Sequence, residues 1–418
     1  MAGDSRIMVD VTPLRASREF RLLYGGRVVS GLGTQLTVVA APIQVFGITH
    51  STLAVGLLGL AQFPPLLIGS LLGGTIADAY DRRRVLIVSQ VLMLATSLGL
   101  AVNGAGANAL WPIYVLTALQ AGVSGVDSPT RNAVIPNLVR REHLVAANSL
   151  SQISFQLAGV VGPAVAGVLI ARSGVSAAYW VDVATFVLAT LTVMAMKAMP
   201  PFGGGRRAGL RSLQEGLRFL KGRQALQGTF IVDVNAMVFG LPRSLFPEMG
   251  LRVFGGGDAV VGLLYAAPGA GALLGALMSG WIPRVHRQGR AVIWAVVAWG
   301  LSIALFGITT WLPLALVFLA LAGAADVVSA VFRTTILHLT VPDSLRGRLS
   351  AVHIAVVTGG PRLGDAEAGG VAALAGVRAS AVSGGVFCIV GALAIARLMP
   401  GLGRWTLDDA QPVELTEP

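Results

Sequence analysis

The chain has 418 residues, of which 54% are apolar and only 12% charged. A soluble chain is roughly 25% charged, and the mean hydropathy here is +0.74. Together these exclude a string of aqueous domains and predict a polytopic membrane protein. The net charge of +11 would point to nucleic acid in a soluble protein. Here the arginines gather in short loops between apolar runs, where they set topology and meet anionic headgroups. The one cysteine, Cys388, can form no internal disulfide and no thiolate metal site.

A membrane helix takes about 20 largely apolar residues. Twelve segments qualify, at about 22–48, 53–77, 84–103, 109–134, 146–171, 176–199, 226–250, 258–282, 290–310, 313–341, 348–375 and 377–399. The first 21 residues carry Arg6, Arg15, Arg18 and Arg21 and no apolar core. They predict a cytoplasmic segment at 1–21, with segment 1 acting as an uncleaved signal-anchor. Two six-segment bundles follow, at 22–199 and 226–400, joined by a linker at 200–225; a cytoplasmic tail closes the chain at 401–418.

The linker reads LRSLQEGLRFLKG. Leu210, Leu213, Leu217 and Leu220 recur at helical spacing, with Arg211, Arg218 and Lys221 between them. That pattern predicts a short amphipathic helix on the inner headgroup surface, which also serves as a plain connector of two halves. One set of loops carries Arg82, Arg83, Arg84, Arg140, Arg141, Arg284, Arg287, Arg290, Arg346 and Arg348 as well as the linker cations. The other set holds little beyond Arg172, Arg252 and Arg378. Basic loops stay inside, so both termini are expected in the cytoplasm of a multi-pass protein of the inner membrane.

The halves repeat. Residues Gly56–Arg84 meet Gly262–Arg290 without a gap when shifted by 206 positions. Gly56, Leu57, Leu58, Ala61, Leu67, Gly69, Leu71, Gly74, Ile76 and Arg84 all find identical partners. The fold expected is all-α, with twelve membrane helices in two parallel six-helix repeats. Around segments 5 and 11 the offset is about 202, which puts Asp365 at the position of Pro163.

Charges inside a membrane are costly and mark function by default. Segment 1 carries Arg27; segment 4 carries Asp127 and Arg131, four apart on one face, where a local ion pair is the cheaper explanation. Asp182, Arg243 and Glu248 fall near the outer ends of their segments and are expected to reach headgroups or water. Asp233 lies in segment 7, Asp326 and Arg333 in segment 10, and His353, Arg362, Asp365 and Glu367 in segment 11. Asp326 and Asp365 fall near mid-helix, where snorkelling is hard, and are the first candidates for proton coupling, ahead of Asp233. Arg27, Asp127, Arg131, Arg333 and Arg362 are candidates for a cavity or for ion pairs. No HExxH, Walker loop or GxSxG stands in a suitable context. No enzyme activity, cofactor or metal is therefore expected, and transport must draw on an ion gradient.

Two motifs carry a resemblance. The loop GTIADAYDRRR runs from Gly74 through Asp78 to Arg82, Arg83 and Arg84. It is similar to the signature between helices 2 and 3 of the major facilitator superfamily of secondary transporters. Asp81 stands where that signature has Gly, a variant of the branch that includes the enterobactin exporters. In segment 5, Gly159, Gly162, Pro163 and Gly167 resemble the superfamily's antiporter signature, with Ala166 in place of one Gly and the first spacing one residue short. Ordinary small-residue packing is the other reading of that stretch.

The resemblance implies a proton-driven exporter whose partners are the lipid bilayer, protons and a small-molecule cargo, with no nucleic acid, working as a monomer. Relatives move catecholate siderophores, macrolides or other drugs. It also implies that Asp78 latches onto the start of segment 11; the alternative is a local pair with Arg82, four residues on. An importer of the same fold and a non-transporting sensor remain open as other classes.

Overall fold

The computed structural model describes residues 10–199 and 218–409, without the side chains of 343–348, 350–352, 354, 355 and 409. The amphipathic helix expected within the linker falls mostly outside them. The long helices in chain order are α1 (Arg18–Thr49), α2 (Thr52–Ala79), α3 (Arg82–Ala105), α4 (Leu110–Leu138) and α5 (Leu144–Met194). They continue with α6 (Gln224–Phe239), α7 (Gly257–Leu277), α8 (Gln288–Ile308), α9 (Leu312–Thr340), α10 (Asp343–Ala375) and α11 (Val377–Leu398). Among the described residues, nine helical stretches are long and apolar enough to cross a membrane. A lipid-spanning chain must satisfy its backbone internally, and helices do so segment by segment.

One of the nine, Arg141–Met194, is two helices run together. Gly174 breaks it with φ +77, a conformation that a side chain would strain. Helices α4 and α10 are also long enough to span but hold more polar residues, which keeps them out of the nine. The architecture is compatible with the expected twelve.

The chain divides into two compact units. The first is Met1–Ala41 with Pro64–Arg207, and the second is Pro42–Phe63 with Ala208–Pro418. The end of α1 and the start of α2 thus pack with the second half, a division no linker in the sequence announces. Both changes of unit fall at prolines inside helices, Pro42 in α1 and Pro64 in α2, where a backbone bond is missing and the helix can bend. Within the second unit these turns of α2 lie close to α10. A Cβ added at Gly59 would sit 3.2 Å from Arg362 O, and one at Gly369 2.6 Å from Thr52 O.

In the first unit α3 packs between α4 and α5. Phe20, Leu23, Leu86, Val134, Ile135, Ala147 and Leu150 close one end of it as a buried apolar cluster. In the second unit α8 packs between α9 and α11, α7 lies on α9, and α6 lies on α10 and α11.

The sequence repeat reappears in the internal contacts of each unit. Gly31 on α1 approaches Ala158 on α5, where an added Cβ would meet Ala158 Cβ at 3.8 Å. Shifted by 206 and 202 positions, the same pair is Met237 on α6 and Gly360 on α10, where the distance would be 2.6 Å. Likewise Gly69 meets Gly122, and their equivalents Gly275 and Ala324 meet at 3.1 Å from an added Cβ. The helix break at Gly174 returns at Gly376, with φ +87. The offset is therefore 206 on the first two helices of each half and 202 from the fourth onward.

Candidate functional site

The cytoplasmic loop is tied down within its own unit. Asp81 caps α3: it accepts the N–H of Arg84 at 3.1 Å and that of Met199 at 3.0 Å. Arg82 turns inward and donates to Ala133 O at 3.0 Å and to Ala77 O at 3.3 Å. Arg83 donates to Met194 O and, at 3.3 Å, to Val193 O. The carbonyls of Ala77, Val193 and Met194 lie in the last turns of their helices, where intrahelical partners are missing. Arg84 is exposed, and Gly74 sits within α2. Asp78 pairs with Arg82 at 3.7 Å, the local alternative. The side chains of Arg346 and Arg348, the expected latch partners, lie outside the described residues.

On α5, Gly162 lets the helix close on α1. A Cβ there would meet the side chain of Gln35, with Cγ at 3.0 Å. Pro163 and Gly167 are buried on the same helix, and a Cβ added at Gly159 would stand 4.0 Å from Gln35 Nε2. The equivalent of Gly162 is Gly364, where a Cβ would meet Met237 O at 2.6 Å and Val238 O at 2.7 Å.

Three polar clusters lie inside the units. In the first unit Asp127 Oδ2 receives Arg131 Nε at 2.5 Å, and Oδ1 receives Gln90 Nε2 at 3.1 Å. Arg131 is 4% exposed, and both its Nη atoms lack hydrogen-bond partners among the described residues. Arg27 donates to Asn132 Oδ1 at 3.4 Å. Arg27, Asp127 and Arg131 line one cavity of about 170 Å³, together with Ser30, Thr34, Gln35, Gln90, Ser124, Ser128 and Ser154.

The second cluster corrects an expectation. Asp182 does not reach water or headgroups; it is 0% exposed. Its Oδ2 accepts the hydroxyls of Thr37 on α1 and Ser97 on α3, both at 2.7 Å. Gln120 on α4 donates to Ser97 Oγ at 3.1 Å. Among the described residues hydroxyls, not a cation, hold this carboxylate in place, with the Gln120 amide behind Ser97.

The third cluster is in the second unit. Arg333 Nη1 lies 2.6 Å from Asp233 Oδ1, and its Nη2 lies 3.8 Å from Asp326 Oδ1. His353 Nδ1 lies 3.9 Å from Asp233 Oδ2. Neither Asp233 oxygen receives an aligned hydrogen bond among the described residues. Asp233 is 1% exposed. The space between Asp233, Arg333, Thr334 and His353 is only about 10 Å³. Arg243 and His338 are the other charged or titratable groups acting on this cluster. Asp326 and Asp233 are therefore brought together, with Arg333 between them.

Asp365 has other partners. Its Oδ1 accepts the backbone N–H of Ser244 at 3.0 Å, holding the turn Arg243–Leu245 after α6. Arg362 donates to Thr358 O at 2.6 Å on its own helix. Sequence reading missed Gln90, Ser97, Gln120 and Thr37, and the only signal for them was polarity inside apolar segments.

Comparison with known proteins agrees with this architecture. Residues 9–415 match the family model described as "Transmembrane secretion effector". The chain is 30% identical over 393 residues to the enterobactin exporter EntS of Citrobacter koseri, covering 92% of this chain and 93% of the relative. It is also 30% identical over 399 residues to EntS of Shigella boydii serotype 18, covering 94% of each. Among solved structures, the nucleoside transporter NupG shares the fold with a TM-score of 0.70 and 12% identity, covering 91% of this chain and 99% of that one. This multi-pass membrane protein is a transporter, not an enzyme, and it belongs to the transmembrane secretion effector family within the major facilitator superfamily.

Proposed function

We propose that this protein is a proton-driven exporter, moving a small molecule out of the cytoplasm by alternating access. In this reading it works as a monomer in the inner membrane, with both termini cytoplasmic. The similarity to proteins named enterobactin exporters supports a siderophore-like cargo and the outward direction. The observation that carries the proton is the sharing of Arg333 by Asp233 and Asp326. With His353 neutral, two carboxylates around one guanidinium are one positive charge short; Arg243 also acts on Asp326, and the space beside Asp233 is small. A proton on either acid supplies the missing charge and changes what Arg333 can hold. That makes the cluster a two-state element that a proton can bias.

In cells lacking the gene, catecholate siderophore should accumulate inside, and the cloned gene should restore efflux. A protonophore should stop that efflux at unchanged ATP. Efflux that persists without a gradient would sink the proton reading, and equal accumulation with and without the gene would sink export.

A further inference from the structure

The two repeats hold equivalent charged positions with opposite balance. Arg131 and Arg333 correspond at offset 202, and Arg27 and Asp233 correspond at offset 206. In the second unit the first helix of the repeat supplies an acid, Asp233, which takes the arginine's charge. In the first unit the same place supplies a second cation. The first cavity thus carries Arg27 and Arg131 against the single acid Asp127.

That acid is already occupied. Asp127 receives Arg131 through Nε and Gln90 through its amide. The two Nη groups of Arg131 remain buried and without hydrogen-bond partners among the described residues. Buried polar groups are paired in the large majority of cases, and a bond left unmade by a buried group is costly. The fork of free N–H donors fits two oxygens of one planar anion.

Volume separates the two cavities. The second unit's, at about 10 Å³, admits a water or a proton. The first unit's, at about 170 Å³, has room for a group of several heavy atoms.

We propose that the cavity between Arg27 and Arg131 is an anion subsite, which takes a carboxylate or phenolate group of the cargo. Arg131 binds the oxygens through its free Nη groups, Arg27 supplies the balancing charge, and Asp127 with Gln90 positions Arg131. Calling the bound anion a cargo rests on the export reading above; the binding itself does not.

The test uses the full chain in phosphatidylcholine nanodiscs without a pH gradient, with radiolabelled salicylate as the probe. Binding should saturate, and neutral salicylamide should compete at least about tenfold less well than unlabelled salicylate. Arg27→Gln should weaken binding by about tenfold or more, and Arg27→Lys, which keeps the charge, should restore most of it. Because Arg131→Gln alone strands Asp127, the double variant Arg131→Gln/Asp127→Asn is the cleaner probe. It should melt close to the parent and lose salicylate. No saturable binding, equal affinity for salicylamide, or parent-like binding in Arg27→Gln would overturn the proposal. Displacement of salicylate by traces of phosphatidylglycerol would assign the site to a lipid phosphate and overturn it as a cargo site. Proton coupling can fail without touching this equilibrium readout, so the two readings fall separately.

Discussion

Arg27 and Asp233 stand at the same place in the two repeats, 206 residues apart, and carry opposite charges. Each lies beside the arginine of the fourth helix of its half, Arg131 or Arg333. The consequence is chemical. One half presents spare donors around a roomy cavity, and the other presents spare acceptors around a cramped one. A duplicated bundle has thereby come to hold two kinds of site at equivalent positions.

The Asp182 cluster should be a stability element. Asp182→Ala removes the acceptor of two buried hydroxyls, those of Thr37 and Ser97, of which Ser97 keeps its bond from Gln120; an unsatisfied buried group costs about 1–3 kcal/mol. Asp182→Asn keeps an oxygen acceptor. Thermal unfolding in detergent should fall markedly for the Ala variant and much less for the Asn variant. Identical melting of both with the parent would remove Asp182 from the structural frame.

The close approach of α10 to α6 should tolerate no side chain at Gly364. An added Cβ would lie 2.6 Å from Met237 O, a backbone atom that cannot swing away. Gly364→Ala should cost about 1–3 kcal/mol through overpacking. Gly25→Ala, where nothing lies within 4 Å, should be neutral or mildly stabilising through helix propensity. Comparable melting of the two variants would contradict the packing argument.

The two acids of the cytoplasmic loop should separate. Asp81→Ala removes the α3 cap and the bond to Met199, at about 0.5–2 kcal/mol, and should lower expression. Asp78 is half-exposed in a 3.7 Å pair, which is worth about 0–1 kcal/mol. Asp78→Asn should therefore insert and melt normally. A slow efflux rate in that variant is the result the proposed latch requires; a normal rate per molecule leaves only the pair with Arg82.

Asp365 should act through its hydrogen bond, not its charge. Asp365→Asn still offers an oxygen to Ser244 N–H and should keep transport close to the parent. Asp365→Ala frees the turn Arg243–Leu245 and should lose both stability and rate. If the Asn variant alone abolishes gradient-driven efflux, Asp365 carries the proton after all.

Much of this was readable in the sequence, and for stated reasons. Spans announce themselves by length and apolarity, and the repeat by a single register from Gly56 to Arg84. The pair Asp127–Arg131 follows from helical spacing. Asp233 and Arg333 are a hundred positions apart, and only the packed bundle brings them together. The burial of Asp182 is not legible from its place near a segment end, because Thr37 and Ser97 reach it from other helices. The Pro42–Phe63 segment joined the other unit for a similar reason. Its glycines look like any membrane glycines until α10 lies against them. The charge inversion at Arg27 and Asp233 needed only the offset already found.

The most direct test of proton-driven export is made with purified protein in proteoliposomes loaded with a pH-sensitive dye. Adding catecholate cargo on the side facing the substrate should move protons the opposite way across the bilayer, in proportion to cargo moved. Asp233→Asn should abolish that proton flux, even where cargo still binds. Cargo transport without any proton movement, or undiminished proton flux in Asp233→Asn, would contradict the account.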